Sequence, residues 1–271
     1  MARRARAGLA LVARHLGLAA RRRLQRVPMA GISDEFGFTF GRHGWHPFVA
    51  LLDQTVDDEA VPITDFERFF GSPAVNAVRN LNEVLDLSAQ PLGLTARCPF
   101  WLGTYPWGGL AAADHDEAGP AFGWAYDEAT GSSTADLWGP DRTVWYRPDR
   151  RPTLANERRL TLDLRRSIRK GYRPLRARGF PRLLLLRRSN GETQSVVIDG
   201  HHRLAVLAHL GVGSVLAEID GVVDERNVAD WYRVRTGDCS ADDALAVFDA
   251  FFVLDGTERV RHVFGRSVVT P

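Results

Sequence analysis

The stretch VVIDGHHRLAVLAHLG, Val196 to Gly211, constrains the fold more than any other in this chain. A β-branched apolar run ends in an acid and a glycine. A short apolar helix pattern follows at once, and Gly211 sits where that helix would stop. Such a strand-to-helix corner leaves the first helical N–H groups without intrahelical partners, and the helix dipole adds positive character at the same end. Gly200 has no Cβ, so a ligand can come close to the backbone. Arg203 carries a fork suited to phosphate oxygens. Together these features predict an anion site, with phosphate or a nucleotide as its ligand. Asp199 would repel a bare anion. It therefore reads as a ligand for Mg²⁺ or as a base that accepts a proton from an attacking hydroxyl. His201 or His202 could donate to a phosphate oxygen or stabilise charge as it develops. Taken singly, Asp199 is a helix cap, Arg203 a local ion pair and either histidine a packed side chain. Their joint occurrence at one corner favours the site.

The flanking sequence surrounds this corner with an α/β unit. Leu160, Leu164 and Ile168 recur every four residues ahead of Gly171, which predicts a helix over about 155–171. PRLLLLRR and QSVVID are strands split by SNGE, and Asn190-Gly191 signals a hairpin. A helix over about 202–210 and the strand SVLAEID complete the unit near residue 220. Upstream, Thr64 and Glu67 have capping-box spacing, and Ser72-Pro73 opens a second pattern, so 60–86 reads as two short helices. Residues 87–150 hold Trp101, Trp107, Trp124, Trp138 and Trp145 among glycines and prolines and read as irregular. Packing is the simpler role for these rings, with sugar stacking the alternative. In the tail, Ser240 and Asp243 cap one helix, ALAVFDAFF, with Leu245, Phe248 and Phe252 on one face.

Net charge of +2 does not favour nucleic acid. Cys98 and Cys239 are far apart and form no CxxC pair, which points to a reducing cytoplasm. The first 26 residues include eight arginines, and Arg14 interrupts the apolar run that a signal peptide needs. Leu9, Val12 and Leu16 have helical spacing. Residues 1–28 therefore read as a basic amphipathic helix that packs or is solvated, or that docks through residues 2–26 on an anionic membrane face. His43 and His46 have HxxH spacing without an evident third metal ligand, and GRHG with the following proline suggests a turn. The arginine pairs at 158–159 and 165–166 read as a solvated helix face, from which Arg158 or Arg159 could reach a phosphate.

SIRKGYRPL, followed by VVIDGHHRLAVLAHLGVGSVLAEID, resembles the ParB N-terminal domain/sulfiredoxin superfamily. Ser167, Ile168, Gly171, Pro174, Asp199, Gly200, His202, Arg203 and Gly211 fall on its outline, over about a quarter of the chain. The resemblance implies a nucleotide at this corner, ATP, ADP or CTP, together with Mg²⁺. Sulfiredoxins carry a catalytic cysteine where this chain has histidine. Partition proteins carry Glu-Arg-Arg and a following helix-turn-helix, neither of which is evident here. The DGHHR spelling is most similar to free-serine kinases, which use an upstream glutamate as base, and Glu157 is the candidate for it. More loosely, GWHPFVALL, LWGPDR and the DWYRVRTGDCSADDALAVFDAFF tail resemble bacterial proteins that carry this domain near surface-polysaccharide genes.

The expectation is thus an α/β (α+β) protein in four parts. These are the basic helix at 1–28, a helical and irregular Trp-rich region at 29–150, a ParB/sulfiredoxin-like domain with a short mixed sheet at 151–222, and a helical extension at 223–271. The expected function is kinase-like phosphotransfer to a small hydroxylated metabolite or glycan precursor. The alternative is a non-catalytic, nucleotide-regulated binding module in surface-polysaccharide assembly. Asp199, His201, His202 and Glu157 are the candidate catalytic residues. Gly200, His202, Arg203 and Ser167 are the candidate phosphate-binding residues, and Asp199 is the candidate metal ligand.

Overall fold

Five strands form one mixed sheet: β1 (Leu24–Pro28), β2 (Ile32–Ser33), β3 (Arg182–Arg187), β4 (Thr193–Asp199) and β5 (Ser214–Asp224). Their spatial order is β1-β5-β3-β4-β2. The helices are α1 (Pro47–Gln54), α2 (Asp65–Phe70), α3 (Arg151–Arg169), α4 (His201–His209), α5 (Tyr232–Arg235), α6 (Ala241–Ala250) and α7 (Thr257–Phe264). Short 3-10 turns span Met29–Gly31 and Glu225–Asp230. This computed structural model describes residues 24–55, 64–70, 72, 85, 105–107, 151–174 and 179–265. Among them the protein is an α+β fold.

The β3–β4 hairpin forms where Asn190-Gly191 predicts it. The Asn190 side-chain oxygen accepts from the Glu192 N–H at 2.8 Å, and Gly191 takes φ of 89°, which a side chain would resist. The unbroken Leu183–Leu186 run reflects a strand covered on both faces. Leu183 and Leu185 pack with Val197, Leu204, Leu207, Leu162 and Ile168, under α3 and α4. Leu184 and Leu186 pack with Val196, Phe248 and Phe251, beneath the carboxy-terminal helices. The α1 helix touches both layers, Leu51 in one and Leu52 in the other.

Several elements differ from the sequence expectation. Leu24–Pro28 is a strand, not the end of a basic helix, because it pairs antiparallel with Ser214–Glu218 and buries Val27. Residues 1–23 lie outside the described residues. So do the second helix expected before residue 86 and nearly all of the tryptophan-rich stretch. His46-Pro47 starts a helix instead of a turn: His46 Nδ1 accepts from the Phe48 N–H at 3.2 Å, and the proline at the first helical position has no N–H to satisfy. The strand expected to stop at Asp220 runs on to Asp224. The tail holds α5 and α7 besides the expected α6, whose Ser240 cap is present. The sheet also crosses the expected boundary at 151, since β1 and β2 are its outer strands.

The α3 helix buries a polar stripe. Glu157, Thr161 and Arg165 are at most 2% exposed, at spacings of four. Arg165 is therefore no surface residue, as the adjacent arginine pair suggested. Its guanidinium enters the carboxyl end of α1 and donates to the carbonyls of Leu52 at 3.2 Å and Thr55 at 2.7 Å. A cation there complements the helix-end carbonyls, of which that of Leu52 also accepts from the Thr55 N–H at 3.4 Å. Replacing Arg165 with Met keeps most of the volume and removes both of these bonds from a buried site. Urea denaturation of Arg165→Met should show a loss of about 2–4 kcal/mol, and a loss below about 1 kcal/mol would contradict this role.

Candidate functional site

The two short strand exits that frame the corner are neighbours because β2 and β4 run parallel, with Ile32 opposite Ser195 and Ser33 opposite Val196. Asp34-Glu35 and Gly200-His201 therefore leave the sheet side by side. The space beyond the carboxyl ends of parallel strands is where ligands of open α/β sheets commonly sit. The first intrahelical bond of α4 runs from the Leu204 N–H to the Gly200 carbonyl at 2.9 Å, so the amides of residues 201–203 precede the ladder.

Each histidine of the corner meets a carboxylate from a different element. His201 Nε2 lies 2.5 Å from Glu35 Oε2, and His202 Nε2 lies 2.5 Å from Glu157 Oε2. The two imidazoles are 25% and 28% exposed, while Glu157 is 2% exposed. The Phe48 ring lies 4.5 Å from the His202 ring, centre to centre, and limits its orientations. Loss of solvation, the largest single influence on His201, pushes its pKa down. The Glu35 carboxylate and its hydrogen bond, with Asp34 and Asp199 behind them, outweigh that loss and lift it to about 9. His201 is thus an imidazolium at neutral pH. A third such pair, His209 to Asp53 at 2.6 Å, ties the far end of α4 to α1.

The guanidinium of Arg203, expected to face a phosphate, is turned inward. It donates to Asp199 Oδ2 at 2.7 Å and to the Gly179 carbonyl at 2.6 Å, and the residue is 7% exposed. Gly200 makes room for it. A Cβ there would stand 3.0 Å from Arg203 Nη2 and 3.2 Å from Pro181 Cα, at φ of 101°. The glycine thus admits the protein's own guanidinium beneath the turn. The acid of the corner is answered by the same pair, because Arg203 offsets the charge of Asp199.

Among the expected site residues, Asp199, Gly200, His201, His202, Arg203 and Glu157 come together, the last across 45 residues of sequence. Ser167 is exposed near the end of α3 and does not join this cluster. Glu35 was not anticipated, because nothing in SDEFG announces which strand its neighbour joins. Arg158 is held by Glu67 at 2.9 Å, and Arg159 lies 3.7 Å from Asp163. His43 is exposed and His46 is buried, so they do not form a metal pair. Trp107 packs face to face on Tyr105 at 5.3 Å. Among the described residues no group of three or more His, Cys, Asp and Glu side chains is arranged to hold a metal ion. Asp199 has its side chain 52% exposed and one oxygen bound by Arg203, so its carboxylate could serve as a single ligand to an ion. No described helix is long and apolar enough to cross a membrane.

The Gly200 turn has a measurable cost of disruption. Gly200→Ala should lower stability by about 2–3 kcal/mol in chemical denaturation, from the unfavourable φ together with displacement of Arg203. A change under about 0.5 kcal/mol would show that the turn accepts a side chain freely. Compared with protein-family models, with curated proteins and with solved structures, the chain matches none of them.

Proposed function

We propose that this chain is a nucleotide-binding phosphotransferase acting on a small hydroxylated metabolite or glycan precursor. The observation that carries the reading is the pairing of consecutive His201 and His202 with Glu35 and Glu157 at the amide end of α4. The resemblance of the corner to the nucleotide-binding ParB/sulfiredoxin superfamily supports it. Two imidazoles held this way can do different work. His201, cationic at neutral pH, stands beside the first-turn amides and complements a phosphate. His202 gives its Nε2–H to Glu157, which leaves Nδ1 to accept a proton.

In the reaction, a substrate hydroxyl oxygen attacks the terminal phosphorus of the nucleotide. The new O–P bond forms as the bond to the bridging oxygen breaks, and the nucleotide leaves with one phosphate fewer. The hydroxyl proton passes to His202 Nδ1, and Glu157 stabilises the resulting imidazolium. Asp199 would hold a magnesium ion, and that ion would supply charge neutralisation at the phosphates. This role for Asp199 is preferred to that of base, because Arg203 already engages the carboxylate. In this reading the protein works in the cytoplasm, with an anionic membrane face as an alternative partner of its arginine-rich segment.

Calorimetry with ATP, ADP and CTP, with and without magnesium, tests binding. Phosphorus NMR with a panel of hydroxylated acceptors tests turnover. His202→Gln and Glu157→Gln should each lower turnover on the order of a hundredfold while nucleotide affinity changes little. Binding without turnover for any acceptor would favour the nucleotide-regulated module of surface-polysaccharide assembly. Absence of binding by all three nucleotides would overturn the reading.

A further inference from the structure

The amino end of α1 is fastened to the turn after β2 by a buried pair that the proposed chemistry does not use. Asp34 Oδ1 accepts from the N–H groups of Phe36 and Phe38, both at 2.9 Å, and Asp34 Oδ2 lies 3.4 Å from His46 Nε2. Both residues are at most 3% exposed. The His46 ring stacks on Phe40 with centres 4.0 Å apart, and the rings of Phe38 and Phe48 flank it. Its Nδ1 caps α1 by accepting from the Phe48 N–H at 3.2 Å. A ring nitrogen that accepts carries no proton, so the neutral imidazole holds its hydrogen on Nε2, toward Asp34. The chain ahead of the ring is clamped. The Trp45 N–H donates to the Asp255 carbonyl at 2.7 Å, and a Cβ on Gly256 would stand 2.4 Å from the Trp45 carbonyl oxygen. Held at Trp45 and enclosed by three phenylalanines, the ring stays out of water as long as this packing lasts.

We propose that His46 is a proton-sensitive pin: its neutral ring holds the amino end of α1 against the β2 turn, and uptake of a proton releases that end. A proton added at Nδ1 would set an N–H against the Phe48 N–H and cancel the cap. It would also place a cation among aromatic rings, away from solvent. Loss of solvation is accordingly the largest influence on the ring, and it holds the His46 pKa below its ordinary 6.5. From the β2 turn, Asp34 and Glu35 favour the charged ring without prevailing, and from α4 His201 opposes it. Tyr105 reaches this turn as a neutral donor to the Glu35 carbonyl. From α2, the uncharged Phe66 packs on Phe48. Beyond Trp45, the Asp255 carboxylate accepts from the Thr257 N–H at the start of α7. The other charges on α1 act at its carboxyl end, where Asp53 pairs with His209 and Arg165 meets the last carbonyls. A lowered pKa means that the closed form binds fewer protons than the released form. The hold is therefore complete above about pH 6.5 and is lost as the pH falls below it. The effect reaches the corner through Phe48, whose ring lies 4.5 Å from that of His202, so mild acid frees one of its walls. None of this depends on what the corner binds.

Amide hydrogen exchange of the full chain, read by NMR and corrected for intrinsic rates, tests the pin. Protection over Phe48–Gln54 should fall about tenfold relative to α6 between about pH 7 and about pH 5.5, as one proton is taken up on release. In His46→Asn the amide oxygen can still cap α1 but does not titrate, and the same ratio should change less than about twofold. Burial raises the pKa of Asp34, an effect of opposite sign, but Asp34 is present in both proteins. An equal fall in wild type and variant would overturn the proposal. So would a wild-type ratio that stays constant, whether α1 and α6 lose protection together or not at all. Nitrogen shifts of the His46 ring give a second reading on the wild type alone. In the protected form, Nδ1 should stay unprotonated and Nε2 protonated down to about pH 5.5. A ring that titrates near its ordinary 6.5 while α1 keeps its protection would equally overturn it.

Discussion

The parallel contact between Ile32–Ser33 and Ser195–Val196 is the interaction on which the corner depends. It is only two residues long, and it is buried: Ile32 and Ser33 are 0% exposed. The Ser33 hydroxyl accepts from the Gln194 side-chain amide at 2.6 Å, which adds a side-chain bond to the ladder. On the other side, the Ile32 carbonyl accepts from the Phe40 N–H at 3.1 Å. A strand this short persists because its neighbours on both flanks satisfy its backbone. Its effect is to carry two acids, Asp34 and Glu35, to the start of α4.

The charges of the corner are arranged in layers. Beneath the turn, Asp199 and Arg203 largely offset each other, and the arginine also satisfies the Gly179 carbonyl. The two imidazoles, in turn, meet carboxylates supplied by other elements. An acid at the end of β4 thus need not repel an anion, because its charge is met from below. Glu157 is the costly member, a carboxylate almost without solvent. It is tolerable because it lies against His202 within a buried polar stripe that also holds Thr161 and Arg165.

The parts legible in the sequence are those governed by local chemistry. The Asn190-Gly191 turn, the Ser240 cap and the ends of β4 and α4 follow from residues within a few positions of each other. Glu157 could be proposed only through the resemblance to free-serine kinases, which implies an upstream glutamate, and through its place at the start of the helix before Gly171. Arg165 could not be read as buried, since a guanidinium on a helix normally belongs in water and its acceptors at the carboxyl end of α1 are more than a hundred residues away. Likewise, Leu24–Pro28 has no strand signature of its own, and its conformation comes from the edge of β5. Glu35 became visible only through the pairing of β2 with β4. The inward turn of Arg203 is not legible in the sequence, because a short helix equally permits a guanidinium to face out.

The separations along the chain give the two histidine pairs different histories during folding. His202 and Glu157 are 45 residues apart, whereas His201 and Glu35 are 166 apart. Closing a longer loop costs more entropy, about 0.6 kcal/mol for each doubling, and contacts between distant segments tend to form later. The α3–β3–β4–α4 stretch can therefore assemble before β2 arrives at the sheet edge. A chain caught at that stage carries its Glu157 pair, while His201 has not yet met Glu35. The contact between His201 and Glu35 forms only when the amino-terminal strands dock, so it marks a completed fold.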